Sequence, residues 1–102
     1  MTAARVAETL AQMGGGGRLR AMIGAKHFVH HADGTLAFKF MKARQGANYV
    51  EITLTPKDLY TMRIGRIRRG GIGFEEIVVA EDLFFDQLIP TFENATGLYL
   101  TL

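Results

Sequence analysis

Apolar and polar residues alternate most regularly in the middle of the chain. Across 47–55, Val50, Ile52 and Leu54 are apolar, while Tyr49, Glu51, Thr53 and Thr55 fall between them. That is the period of a strand with one buried face. Pro56-Lys57-Asp58 interrupts the run. Proline cannot donate to a ladder and favours the first central position of a turn, so the chain is predicted to reverse there and return over 59–69. Tyr60, Met62 and Ile64 keep the buried phase, but after Gly65 the next apolar residue is Ile67. A one-residue slip beside a glycine is what a β-bulge produces. An antiparallel hairpin, bulged near Gly65, is therefore expected at the centre of a sheet.

The flanking segments add layers to it. Val6, Leu10 and Met13 recur at i, i+4 and i+7 behind the N-cap candidate Thr2, predicting an amphipathic helix over 1–13. Gly14 to Gly17 should end it and act as a linker. A phosphate-cradling glycine loop follows a strand and opens a helix, whereas this run follows a helix. Residues 18–24 alternate weakly, as an edge strand would, and 25–31 suit one or two helical turns. Asp33-Gly34 signals a turn. Leu36, Phe38 and Phe40 then alternate with Thr35, Ala37 and Lys39, predicting a strand over 35–41, and 42–46 reads as a basic loop. After the glycines at 70, 71 and 73, a last strand is expected over 74–79.

From 80 onward the period changes. Phe84, Leu88, Phe92 and Ala95 form a helical stripe, with Glu81 and Asp82 in the first turn, Pro90 as a kink or break, and Gly97 as the stop. The tail through Leu98, Leu100 and Leu102 is either a short edge strand or an apolar anchor. The whole reads as one α+β domain over 1–102: a helix over 1–13, a glycine linker over 14–17, an antiparallel sheet of four or five strands over 18–79, a helix over 80–96 packed on one sheet face, and a tail over 97–102.

Composition narrows the chemistry. With 102 residues, 48% hydrophobic and 22% charged, a single small folded core is the expectation. No run approaches the roughly 20 apolar residues of a membrane span, and the N-terminus lacks an export signal, so a soluble cytoplasmic protein is expected. The chain contains neither serine nor cysteine, which removes the common nucleophilic triads and any disulfide framework. Adjacent acids such as Glu75-Glu76 and Glu81-Asp82 do not face each other on a helix, so no catalytic pair is indicated. His27, His30 and His31 lack the further converging ligands that a metal site needs, and neither metal nor cofactor is assigned.

Charge is distributed unevenly. Residues 1–69 hold twelve Lys and Arg against four acids, net +8, and residues 70–102 hold six acids and no base, net −6. The split fits a polyanion-binding surface, pairing between protomers, or internal compensation. Arg63, Arg66, Arg68 and Arg69 on the predicted central strand and its exit, with Lys26 after Gly24-Ala25, are the candidate anion contacts. Beside Tyr49 such an edge would hold a single strand or a nucleotide by charge and stacking, while the same charges would also guard a strand edge against pairing.

Four segments carry a resemblance: Met-Ile-Gly-Ala-Lys-His-Phe at 22–28, Asn-Tyr-Val-Glu-Ile-Thr-Leu at 48–54, Asp-Leu-Tyr-Thr-Met-Arg-Ile-Gly-Arg-Ile-Arg at 58–68 and Thr-Gly-Leu-Tyr at 96–99. On these, nearly the whole chain resembles a group of short phage and prophage proteins with no assigned activity. Pro90 and the four consecutive glycines depart from the pattern. The resemblance transfers no catalytic or binding residue. It implies a bacterial host cytoplasm and a phage-related role, for which a non-enzymatic module that binds a protein partner and forms a homo-oligomer is the first expectation, and nucleic-acid or nucleotide binding the alternative.

Overall fold

Strands form where apolar residues alternate, and the computed structural model, which describes residues 9–31, 33–67 and 73–100, builds five of them. They are β1 (Lys26–His30), β2 (Thr35–Lys39), β3 (Tyr49–Leu54), β4 (Tyr60–Ile67) and β5 (Phe74–Leu83), paired antiparallel in the order β1-β2-β3-β4-β5. Helices at both ends of the chain pack on this sheet, so the fold is α+β.

The central hairpin is in unbroken register from Tyr49 opposite Gly65 to Leu54 opposite Tyr60. Its turn is closed by the Leu59 carbonyl, which accepts the Thr55 N–H at 2.8 Å, and Asp58 takes the left-handed φ of 61° that the reversal needs. The register slip does stand at Gly65, but in the pairing with β5 rather than with β3: Ile64 faces Val78 and Gly65 faces Glu76, leaving Ile77 as the extra residue. Leu36, Phe38, Val50, Ile52, Leu54, Tyr60, Met62 and Ile64 form the buried side of the sheet.

Both helices close over that side. Residues 14–17 were expected to be a linker and 18–24 a strand, yet Gly16–Ile23 is a helix, α1, with Leu19 and Ile23 fully buried. Only Gly14 and Gly15, at φ of 102° and 88°, make the break from the preceding helical residues 9–12. Glycine inside a helix costs about 1 kcal/mol relative to alanine, and burial of two large aliphatics one turn apart outweighs that. Gly24, at φ 66°, ends α1 with its N–H on the Arg20 carbonyl. Met13 is fully buried in the same core, while 1–8, including Val6, lie outside the described residues.

Residues 25–31, expected as helical turns, are instead strand β1, with a register irregularity between Lys26 and Val29 and His27 at φ 56°. At the other end β5 runs on to Leu83, so Glu81 and Asp82 belong to a strand and not to the first turn of a helix. A 3₁₀ turn (Phe85–Gln87) leads into α2 (Leu88–Thr96). Pro90 therefore sits in the first turn of α2, where its missing N–H would have had no intrahelical partner, and it kinks nothing. Gly97 at φ 76° stops α2, and the described part of the tail is an anchor: Leu100 is fully buried and its N–H bonds Glu93 Oε2 at 2.7 Å, while Leu102 lies outside the described residues. Among the described residues no helix is long and apolar enough to cross a membrane.

Candidate functional site

An antiparallel meander brings the first residues of odd strands and the last residues of even strands to one end of the sheet. At that end Lys26 opens β1, Lys39 closes β2, Tyr49 opens β3 and Arg66 lies one residue before the end of β4. Lys26 and Lys39 are direct cross-strand partners. Lys42 joins them from the loop that follows β2, and with Arg66 these four cations line a cleft of about 690 Å³. Among the described residues none of the lining side chains is acidic. Like charges placed opposite each other on a ladder are unfavourable, so the pairing carries a cost, set against the protection that lysines give the exposed edge of β1.

The walls of the cleft are fixed by the backbone. Asn48 clamps the end of β4: its Oδ1 accepts the Ile67 N–H at 2.9 Å and its Nδ2 donates to the Ile67 carbonyl at 3.3 Å. The Met41 N–H bonds the Ile23 carbonyl at 2.9 Å, tying the loop to the end of α1. Arg44, in the same basic loop, turns away and donates to the Asn94 carbonyl at 3.2 Å near the C-terminal end of α2. That leaves Lys42 to face the cleft.

Arg66 is held more closely than the lysines. Its Nη2 donates to Glu75 Oε1 at 2.5 Å, and its Nε is buried without a hydrogen-bond partner among the described residues. Gly46 makes room for it: at φ 79°, a Cβ there would stand 3.2 Å from Arg66 Nη1 and 3.3 Å from its Cδ. Glu75 already holds one side of the Arg66 fork, so an anion with several oxygens would meet the three lysines first and the remaining Arg66 donors second.

Of the sequence-predicted contacts, Lys26 and Arg66 meet in this cleft, and Arg63 does not. Arg63 and Arg66 lie three positions apart on β4, so they project from opposite faces; Arg63 shares the outer face with Lys26 and Lys39 but stands two residues further from that end of the sheet than their row. Arg63 stands on the face turned away from the core, with its Nε 3.7 Å from Glu76 Oε2, beside a second hollow of about 330 Å³ that it shares with Asp33, Glu51, Glu81 and three threonines. Arg68 and Arg69 lie outside the described residues. Lys39 and Lys42 were not singled out by sequence. Had 26–30 been read as a strand, a regular hairpin closed at Asp33-Gly34 would have set Lys39 against His27; the register irregularity between Lys26 and Val29 is what sets it against Lys26.

Along the same ladder row, Lys39 faces Tyr49 on β3. The Tyr49 hydroxyl donates to Glu51 Oε2 at 3.2 Å. Burial first, and then the neighbouring Glu51 charge and this hydrogen bond, push the phenol up to about 12. Among the described residues no three His, Cys, Asp or Glu side chains converge as metal ligands, and the three histidines are distributed along β1 and the residue after it. No family model, no curated protein and no solved structure matches this chain.

Proposed function

We propose that the protein binds a phosphate-bearing polyanion, nucleic acid or nucleotide, in the basic cleft at the end of the sheet. The observation that carries this reading is the direct opposition of Lys26 and Lys39, joined by Lys42 and Arg66 in one hollow without an acidic lining residue among those described. A bound anion offsets the repulsion between the opposed lysines. Arginine supplies a planar fork for phosphate oxygens, and the lysines supply mobile point charges. The role is one of binding, with no bond made or broken.

Fluorescence anisotropy with a labelled oligonucleotide, repeated over a salt series, tests it. Four phosphate contacts predict that log affinity falls against log salt with a slope of roughly 3, and that Lys39→Ala lowers the slope by about one. Arg63→Ala, outside the cleft, should leave it unchanged. Failure of oligonucleotide, nucleotide and inorganic polyphosphate alike to bind at low salt would remove the proposal.

A second reading, a protein-binding module that self-associates, has its own observation. Phe84 and Phe85, adjacent between β5 and α2, are 61% and 58% exposed, more apolar surface than a solvated turn needs. In the phage-related setting implied by the resemblance, the partner is a phage or host protein. A monomer at all concentrations by sedimentation would argue against the self-associating form.

A further inference from the structure

The cleft continues onto a face of the sheet. One ladder row runs from Lys26 through Lys39 and Tyr49 to Gly65, on the side turned away from the core. Tyr49 is half-buried, and its bond to Glu51, two residues along the same strand, draws the ring along β3. Phe74, also half-buried, packs edge-on against it, with ring centroids 5.3 Å apart at 70°. Gly65 is the seat of that second ring: a Cβ there would stand 2.5 Å and 2.8 Å from Phe74 ring carbons. An aromatic pair is thus built beside the lysines at the cost of a side chain at position 65.

We infer that the ligand is a single-stranded nucleic acid, with phosphates on Lys26, Lys39, Lys42 and Arg66 and a base stacked on the Tyr49–Phe74 pair. The inference rests on the cleft reading above and adds the class of ligand to it. A positive groove flanked by aromatic rings is the combination that holds single strands, because every base offers a stacking face and every phosphate a charge. A duplex keeps its base faces covered. The nearby charges orient the strand: Glu75 is paired with Arg66 and Glu76 with Arg63, while Asp33, Glu51 and Glu81 outnumber Arg63 in the hollow on the side of the platform away from Lys26. The backbone therefore follows the lysines, and the bases turn inward over the rings.

The test uses anisotropy with labelled oligothymidine and oligouridine of about 12 nucleotides, within the span such surfaces cover, against a duplex of the same length and inorganic polyphosphate. Single strands should bind more tightly than either competitor, and the DNA and RNA arms identify the source. Tyr49→Leu and Phe74→Leu should each weaken single-strand binding roughly 5- to 150-fold and leave polyphosphate binding unchanged. Tyr49→Phe retains the ring and should lose far less single-strand affinity than Tyr49→Leu, and unchanged polyphosphate binding by the leucine variants separates loss of stacking from loss of fold. Leucine variants that bind single strands as well as wild type, or a duplex and polyphosphate that compete equally, overturn the inference while the cleft reading stands. Absence of binding to any of these anions sinks both.

Discussion

Gly65→Ala isolates the closest approach in the sheet. Gly65 is buried in β4 between Tyr49 on β3 and Glu76 on β5. An added Cβ would stand 2.1 Å from the Glu75 carbonyl oxygen, in addition to its clash with the Phe74 ring. Carbon and carbonyl oxygen approach no closer than about 3.3 Å in ordinary contacts, so β5 must retreat by about 1.2 Å. A ring can rotate away, but a backbone carbonyl in a ladder cannot. Overpacking of this kind costs about 1–3 kcal/mol, and a disturbed ladder bond adds about 1 kcal/mol. The gain from replacing glycine within a strand returns only about 0.5–1 kcal/mol. The net expectation is a loss of about 2–3 kcal/mol, which lowers Tm by about 10–20 °C in a domain of this size. Urea and thermal unfolding followed by circular dichroism measure it. In a Phe74→Ala background most of the cost should persist, because the carbonyl remains. A Gly65→Ala protein within about 0.5 kcal/mol of wild type, a surface-like value, would refute the steric argument.

Two further outcomes follow from other positions. Gly17 lies inside α1 with nothing among the described residues within 4 Å of where a Cβ would stand, so Gly17→Ala should raise stability by about 0.5–1 kcal/mol in urea unfolding; a loss would show that the segment is not helical. Tyr49, with its phenol raised to about 12 from 10.0, favours the neutral form in the folded protein. The contribution of this group to stability is therefore complete below pH 10 and declines as pH rises from 10 through about 12. A tyrosinate absorbance titration, wild type minus Tyr49→Phe, should show a step near pH 12, and a step at the ordinary value would contradict the burial and the Glu51 contact.

The parts of the fold that were legible in the sequence are those where local period and burial agree. Val50, Ile52 and Leu54 alternate and are buried as one face, and Pro56-Lys57-Asp58 turns the hairpin as its residue types require. Residues 16–23 misled because two glycines argue against a helix locally, while Leu19 and Ile23 argue for one only once a sheet is present to bury them. At β5 the acidic Glu81 and Asp82 suggested a helix start, and the strand runs through them because Leu83 reaches its place opposite Tyr60. The cleft was half visible. Lys26 and Arg66 stood out as basic residues beside glycines, but Lys39 looked like an outward strand residue, because the register that sets it against Lys26 is not a property of either segment alone.

The strand order itself has a kinetic consequence. Each strand pairs with the one next to it in the chain and none crosses over another, so loop closure never spans more than a turn and its neighbours. Such a sheet needs no pairing between strands distant in the chain before their neighbours have formed, which limits the entropy lost at each closure. The segment that supplies Phe92 and Leu100 lies outside this ladder, and those two side chains close the core over the buried face of the sheet.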